Sequence, residues 1–126
     1  MRLPTILLTA ALMLTPVLGL AHGAPPPATH GGTVQEAKEL WLELVVKDAD
    51  VTVYVLDQAR QPVPAARISG SATVLVNGKS EKVDLTALGE NSVGGKLTAP
   101  AAGRIVATVS LAVDGKPVSA RFMGAT

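Results

Sequence analysis

The stretch that decides the fold is "GRIVATVSLAVDGKPVSARF", which runs from Gly103 to Phe122. Apolar residues alternate with other residues on both sides of an Asp-Gly pair, and a period of two is typical of a strand that buries one face. Asp-Gly readily takes the positive φ angles that a tight turn requires. The stretch therefore predicts an antiparallel hairpin. The residues expected to face the core are Ile105, Ala107, Val109, Leu111, Val113, Val118, Ala120 and Phe122.

Two further stretches have the same pattern. "LWLELVVKDADVTVYVLD" covers residues 40–57 and alternates on both sides of "KDAD". "SATVLVNGKSEKVDL" covers residues 71–85 and is interrupted by Asn77-Gly78, a dipeptide suited to a hairpin turn. Between them, "RQPVPAAR" contains Pro62 and Pro64, which a central strand does not tolerate, so it is predicted to be a loop or an edge segment.

A weaker strand around Lys96-Leu97 brings the total to about seven short, evenly spaced strands. This spacing favours an antiparallel sandwich or barrel, and we expect an all-β, immunoglobulin-like antiparallel sandwich over residues 34–126. One stretch, "TVQEAKELWLELVV", also permits a helix that begins around Gln35 to Glu39. "GENSVGGK", residues 89–96, lacks the Gly-Lys-Ser/Thr ending of a phosphate loop and is interpreted as a connection between strands.

The first residues have the pattern of a secretory signal peptide. Arg2 supplies a positive charge, residues 3–20 are free of charged residues, and the run ends in small residues. A membrane anchor is the alternative, but the run barely reaches the ~20 residues that a spanning helix needs, and Pro16 interrupts it. We expect a signal peptide at 1–21, a flexible Pro/Gly/His tail at 22–33 and periplasmic localisation. Cleavage after Ala21 gives a mature chain that begins with His22, and cleavage after Gly23 is the second option.

The composition excludes several classes of function. Without its leader the chain has 105 residues, enough for one domain, and its acidic and basic residues balance once Arg2 is removed. We therefore expect no nucleic-acid partner and no membrane insertion after processing. The absence of cysteine excludes disulfides and thiolate metal sites.

No catalytic residues are predicted. The serines of the predicted domain have no histidine within residues 34–126 to act as a base, and no Gly-x-Ser-x-Gly elbow surrounds them. Glu43 and Asp57 are interpreted as solvated carboxylates rather than as a catalytic pair. We expect neither an enzyme nor an organic cofactor.

The two histidines of the chain lie in "GLAHGAPPPATHGG", residues 19–32. If cleavage follows Ala21, the α-amine and the imidazole of His22 can chelate one ion, and nitrogen donors of this kind suit Cu, Zn or Ni. His30 is a candidate third ligand, and Glu36 and Glu39 are candidates to complete the shell. Alternatively, a cleavage junction and a proline-rich spacer simply contain two histidines. A chelate confined to a mobile tail would leave the melting temperature of the domain almost unchanged.

The order of "HGG" at 30–32, "ELWLELVVKDADVTVYVLDQARQPV" at 39–63 and "GKPVSARF" at 115–122 resembles a group of small exported bacterial proteins found with heavy-metal efflux systems. It is also similar to the extra N-terminal region of some metal-efflux membrane-fusion adaptors. The resemblance implies that His30 is a metal ligand and that Tyr54, Asp57, Pro62 and Val63 define a strand end and a turn.

Two functional hypotheses follow. In the first, the protein is a periplasmic metal-binding protein that sequesters Cu, Zn or a similar ion or delivers it to an efflux system. In the second, it is a non-catalytic module that docks on an envelope protein through its β-sandwich, in the edge-pairing manner open to such folds.

Overall fold

The structure is a computed structural model that describes residues 23–125. The predicted signal peptide and His22 lie outside these residues. Within residues 23–125, all of the regular structure is strand apart from a short 3-10 turn at Ala65–Arg67. The strands are β1 Thr33–Ala37, β2 Leu40–Lys47, β3 Asp50–Leu56, β4 Ile68–Val76, β5 Lys79–Ala87, β6 Ser92–Lys96, β7 Arg104–Val113 and β8 Lys116–Ala125.

The eight strands form one antiparallel sheet in the order β1-β2-β3-β6-β5-β4-β7-β8. Strand β5 connects the two halves, since it pairs with β4 along most of its length and with β6 through Thr86 and Ala87. The two end strands lie side by side: a Cβ atom at Gly124 would be 3.6 Å from Thr33 Oγ1. The all-β class is thereby confirmed as one nearly closed sheet of eight strands. The immunoglobulin-like sandwich of about seven strands is not confirmed.

All three predicted hairpins are present. Their turns contain Asp48, Asn77 and Asp114, which have φ angles of 55°, 50° and 53°. Asn and Asp tolerate this left-handed region better than most residues, and glycine follows two of the three. The loop predicted around Pro62 is also confirmed, because its only ladder contact is an isolated bridge between Pro62 and Leu56.

One alternative left open by the sequence, a helix that begins around Gln35 to Glu39, and one local prediction are wrong. Residues 33–37 are strand rather than helix, since they pair with β2 along their whole length. "GENSVGGK" is not only a connection, because its second half is β6. Gly94 and Gly95 weaken the strand signal in the sequence, yet the sheet requires glycine there: a Cβ atom at Gly94 would be 2.4 Å from the carbonyl oxygen of Val51.

The interior of the sheet is a single hydrophobic core made almost entirely of aliphatic side chains. Phe122 is its one aromatic member and is 1 % exposed. The eight residues predicted from the stretch at 103–122 are all buried. In the part of the chain that the structure describes, no helix is long and apolar enough to cross a membrane.

Candidate functional site

A histidine and a buried glutamate meet on the outer face of the sheet, the face turned away from the core. Glu43 lies in β2 between Val34 of β1 and Tyr54 of β3. The period of two places Glu43 outward, yet the residue is only 8 % exposed. The interpretation of Glu43 as a solvated carboxylate is therefore wrong. The segment that precedes β1 covers it.

The Glu43 carboxylate accepts three hydrogen bonds from this segment. Its Oε2 atom accepts from the backbone N–H groups of His30, at 3.0 Å, and Gly32, at 2.9 Å. Its Oε1 atom lies 2.9 Å from Nδ1 of the His30 ring. A buried carboxylate is costly unless its oxygens are hydrogen-bonded, and these contacts meet that requirement.

The "HGG" motif supplies the backbone geometry for these bonds. Gly31 has a φ angle of 77° and donates its N–H to the carbonyl oxygen of Ala28 at 3.1 Å, so the chain turns here. Gly32 lies against β2, where a Cβ atom would be 2.2 Å from the carbonyl oxygen of Leu44. Only glycine fits this close approach. The two glycines thus allow both His30 and Gly32 to donate to Glu43.

The His30 ring has a fixed orientation. It stacks on Tyr54, with ring centroids 3.6 Å apart and planes 3° from parallel. Carboxylate oxygens accept hydrogen bonds, so we assign the ring hydrogen of His30 to Nδ1. The Thr29 hydroxyl oxygen is also 3.2 Å from Nδ1. No hydrogen bond within residues 23–125 involves Nε2, and the side chain is 44 % exposed. Nε2 is left with a lone pair that can bind a metal ion.

Residues 24–32, which we call the N-terminal strap, lie across β1, β2 and β3. Pro26 is buried, and Trp41 on β2 is 7 % exposed. Between the strap and the sheet there remains a cavity of about 30 Å³, lined in part by Pro26, Trp41 and Leu56. Arg60 Nη2 donates to the carbonyl oxygen of Ala24 at 2.6 Å. A segment expected to be a flexible tail at 22–33 thus has specific contacts over its described part.

The other predicted metal ligands are distributed unevenly. Glu36 is exposed on β1, opposite Trp41, on the same outer face as Glu43. Glu39 is exposed in the turn between β1 and β2. His22 is outside the described residues. Among residues 23–125 no three His, Asp or Glu side chains converge as a metal-binding group. Instead, the structure places the His30 ring within hydrogen-bond distance of Glu43. Glu43 was not predicted to be a ligand or a partner of His30.

The sequence gives only a weak indication of the role of Glu43 as a partner of His30. A single carboxylate at an outward position of the stretch "ELWLELVV", between apolar neighbours, is ordinary for a half-exposed strand. Its role depends on a segment thirteen residues earlier in the chain. Asp57 has the turn role that the resemblance implies: its Oδ1 accepts from Gln61 N at 2.9 Å.

A second polar contact lies at the 3-10 turn. Arg67 Nε donates to Asp114 Oδ1 at 2.7 Å, and Arg67 Nη2 contacts the other carboxylate oxygen. The hydrogen bond from Arg67 lowers the pKa of Asp114, and the same bond raises the pKa of Arg67. Both side chains are about half exposed, so this pair fixes a hairpin turn and does not form a ligand site.

Comparison with models of protein families, with curated proteins and with solved structures gave no match for this chain. The resemblance to exported proteins of heavy-metal efflux therefore stays a prediction.

Proposed function

We propose that this protein is an exported, non-catalytic metal-binding protein that sequesters Cu(II), Zn(II) or a similar ion or delivers it to an efflux system. The observation that best supports this proposal is the state of the His30 ring. Glu43 and Tyr54 hold the ring in place, while Nε2 has no hydrogen-bond partner among the described residues.

A histidine that ligates a metal usually donates its other ring N–H to a carboxylate or carbonyl oxygen. This contact selects the tautomer, orients the ring and makes the ligating nitrogen more basic. The contact between His30 Nδ1 and Glu43 Oε1, at 2.9 Å, has this form. Loss of such a partner typically reduces metal affinity by about 10- to 100-fold.

One imidazole does not make a complete site, so further donors are required. His22 supplies two nitrogens if it is the mature N-terminus, and Glu36 lies on the same outer face as His30. Glu39 lies in the turn between β1 and β2, four residues before Glu43, which corresponds to about 13 Å along the strand direction. We therefore favour His22 and His30 as the principal ligands and Glu36 over Glu39 as a carboxylate ligand. For nitrogen donors of this kind, Cu(II) is the preferred divalent ion.

For the fold we propose an immunoglobulin-like sandwich with one additional strand. Immunoglobulin domains have strands A, B, E and D in one sheet and C, F and G in the other. If β2 is strand A, the order β2-β3-β6-β5 corresponds to A-B-E-D, and β4-β7-β8 corresponds to C-F-G. The shared strand β5 supports this correspondence, because its two ends pair with different halves.

The alternative function is docking on an envelope protein. Strands β1 and β8 support it, because each has one ladder partner in the described chain and the two lie side by side without pairing with each other. Met123 on β8 is 68 % exposed. A docking module has no need of the free Nε2 atom, however, so the geometry of His30 favours metal binding.

Isothermal titration with Cu(II) distinguishes the two functions. Three proteins are compared: the chain that begins at His22, the same chain extended by one N-terminal residue, and the His30→Ala variant. We expect the extension to weaken binding sharply because the amine is moved away from the His22 ring, and we expect His30→Ala to weaken it as well. Equal affinities for all three proteins, or no binding, would rule out this metal site and leave docking as the better proposal.

A further inference from the structure

A further feature of the strap concerns the position of His30: Pro26 and Trp41 line the same cavity as His30. Proline is mostly exposed in proteins, but Pro26 is buried. Together with Trp41 and Leu56, it lines the small cavity beneath the strap. We call the sheet side of this cavity, with Trp41 and Leu56, the Trp41 groove. Proline-rich segments commonly dock in aromatic grooves, because their extended conformation costs little entropy to fix. The strap thus occupies its groove in the manner of a proline-rich ligand.

The strap and the proposed ligand are one continuous unit. His30 is four residues from Pro26, and both lie within the ten residues that line the cavity. At one end of the strap, Arg60 donates a hydrogen bond to the carbonyl oxygen of Ala24. At the other end, the Glu43 carboxylate accepts hydrogen bonds from the N–H groups of His30 and Gly32. If the strap leaves the groove, His30 loses the support that fixes its ring against Tyr54.

We propose that Pro26 and Trp41 are positioning residues for the metal site: docking of the strap in the Trp41 groove and binding of metal at His30 are coupled. This proposal rests on the proposed function. Coupling of this kind is reciprocal, so metal must tighten the strap by the same factor by which the docked strap tightens metal. The chain has one tryptophan and one tyrosine. Trp41 lies under the strap, so its fluorescence reports docking directly.

The test uses the chain that begins at His22, with Zn(II) as the metal because it does not quench fluorescence. Pro26→Gly removes the buried ring. Pro25→Gly is the matched control, since it loosens the backbone of the same segment to a similar extent but removes an exposed ring. Arg60→Gln weakens the strap at its other end, at an exposed loop residue whose replacement leaves the core intact.

We expect Pro26→Gly and Arg60→Gln to shift Trp41 emission to the red, to increase its quenching by acrylamide, and to weaken Zn(II) binding. The expected loss of affinity for Pro26→Gly lies between about 5-fold and 150-fold, the usual range for coupled sites. Pro25→Gly is expected to change each quantity much less. Saturating Zn(II) should also reduce acrylamide quenching in the parent and have no such effect in His30→Ala.

Two results would overturn the coupling. In one, Pro26→Gly exposes Trp41 but binds Zn(II) with the affinity of the parent, which would show that the strap and the metal site are independent. In the other, Zn(II) binds the parent but leaves the quenching of Trp41 unchanged. Failure of the proposed function has a different signature, because the parent itself then binds no Zn(II) or Cu(II).

Discussion

The imidazole of His30 lies parallel to the phenol ring of Tyr54, with centroids 3.6 Å apart and an angle of 3° between the planes. Tyr54 is fixed in β3, opposite Glu43 of β2. The strap therefore meets the sheet through two different interactions at His30, a hydrogen bond in the plane of the ring and an aromatic contact on its face. Each interaction can be removed separately by substituting one residue of the sheet, Tyr54 or Glu43.

The first prediction concerns the aromatic contact. Tyr54→Phe keeps the ring and should leave stability close to that of the parent. Tyr54→Ala removes it and should cost at least about 0.5 to 1.5 kcal/mol more, the usual contribution of an aromatic pair beyond its buried area. Urea unfolding of the two variants measures the difference. Equal stability of the Phe and Ala variants would show that the stack with His30 contributes nothing.

The second prediction concerns the hydrogen bonds. Glu43→Gln keeps the size of the side chain but replaces one accepting oxygen by an NH₂ group, which faces N–H donors. We expect a loss of about 1 to 3 kcal/mol, since part-buried donors around Glu43 are left without an acceptor. Glu39→Gln is the control, because it removes the same charge from an exposed turn. If chemical denaturation gives the same midpoint for both variants, the buried network around Glu43 is not stabilising.

The difference between Glu43 and the residues of the core also shows what the sequence can predict. Val109 and Phe122 were identified from the alternation of one stretch, and both are buried, because period-two patterning and the Asp-Gly turn are local properties. Trp41 and Glu43 have the same local pattern but the opposite orientation. Their burial depends on the strap, whose contacts lie at a distance in the chain. Alternation within a single strand carries no information about such a cover.

The His-Gly-Gly motif illustrates the same limit. A ligand role for His30 could be proposed from the sequence because histidine is rare in this chain. The need for two glycines is visible only in the structure, where Gly31 takes a positive φ angle and Gly32 approaches the backbone of β2. The eighth strand was missed for a related reason. β1 has only five residues, and its glutamine and glutamate are compatible with either a helix or a strand.

The third prediction tests the close approach at Gly32. Gly32→Ala places a Cβ atom 2.2 Å from the carbonyl oxygen of Leu44, so the backbone must shift. We expect a loss of about 1 to 3 kcal/mol, as for other forms of overpacking. Gly89→Ala is the matched control, since a Cβ atom there meets nothing within 4 Å. Thermal melting of the two variants is the measurement. A melting temperature for Gly32→Ala equal to that of Gly89→Ala would contradict the packing at this position.

The fourth prediction concerns pH. The hydrogen bond from Arg67 lowers the pKa of Asp114, so the pair contributes stability above the ordinary aspartate pKa of about 3.9 and loses it as the pH falls through the lowered value. Asp114→Asn removes the charge but keeps a residue that tolerates the φ angle of 53° in this turn.

As the pH falls below about 4, the parent should therefore lose slightly more stability than Asp114→Asn. The effect is small because the pair is exposed to solvent. Asp84→Asn, on the exposed face of β5, serves as the control for the loss of one negative charge. Urea unfolding across this range measures the slopes. If the slope for Asp114→Asn equals that of the parent, the ion pair does not contribute to acid sensitivity.

The last prediction concerns the effect of metal on stability. A chelate in a mobile tail would leave the melting temperature unchanged, whereas a ligand held by Glu43 and Tyr54 is coupled to the folded sheet. Binding only to the folded state adds about 2.7 kcal/mol when the free metal is at 100 times Kd. For a domain of this size, each kcal/mol raises the melting temperature by about 4 to 8 °C. Saturating Zn(II) should therefore raise the melting temperature of the parent by roughly 10 to 20 °C.

His30→Ala should abolish most of this increase, while Glu39→Gln should keep it. If Zn(II) binds the parent in titrations but leaves its melting temperature unchanged, the metal is held by the segment before the strap alone, without His30.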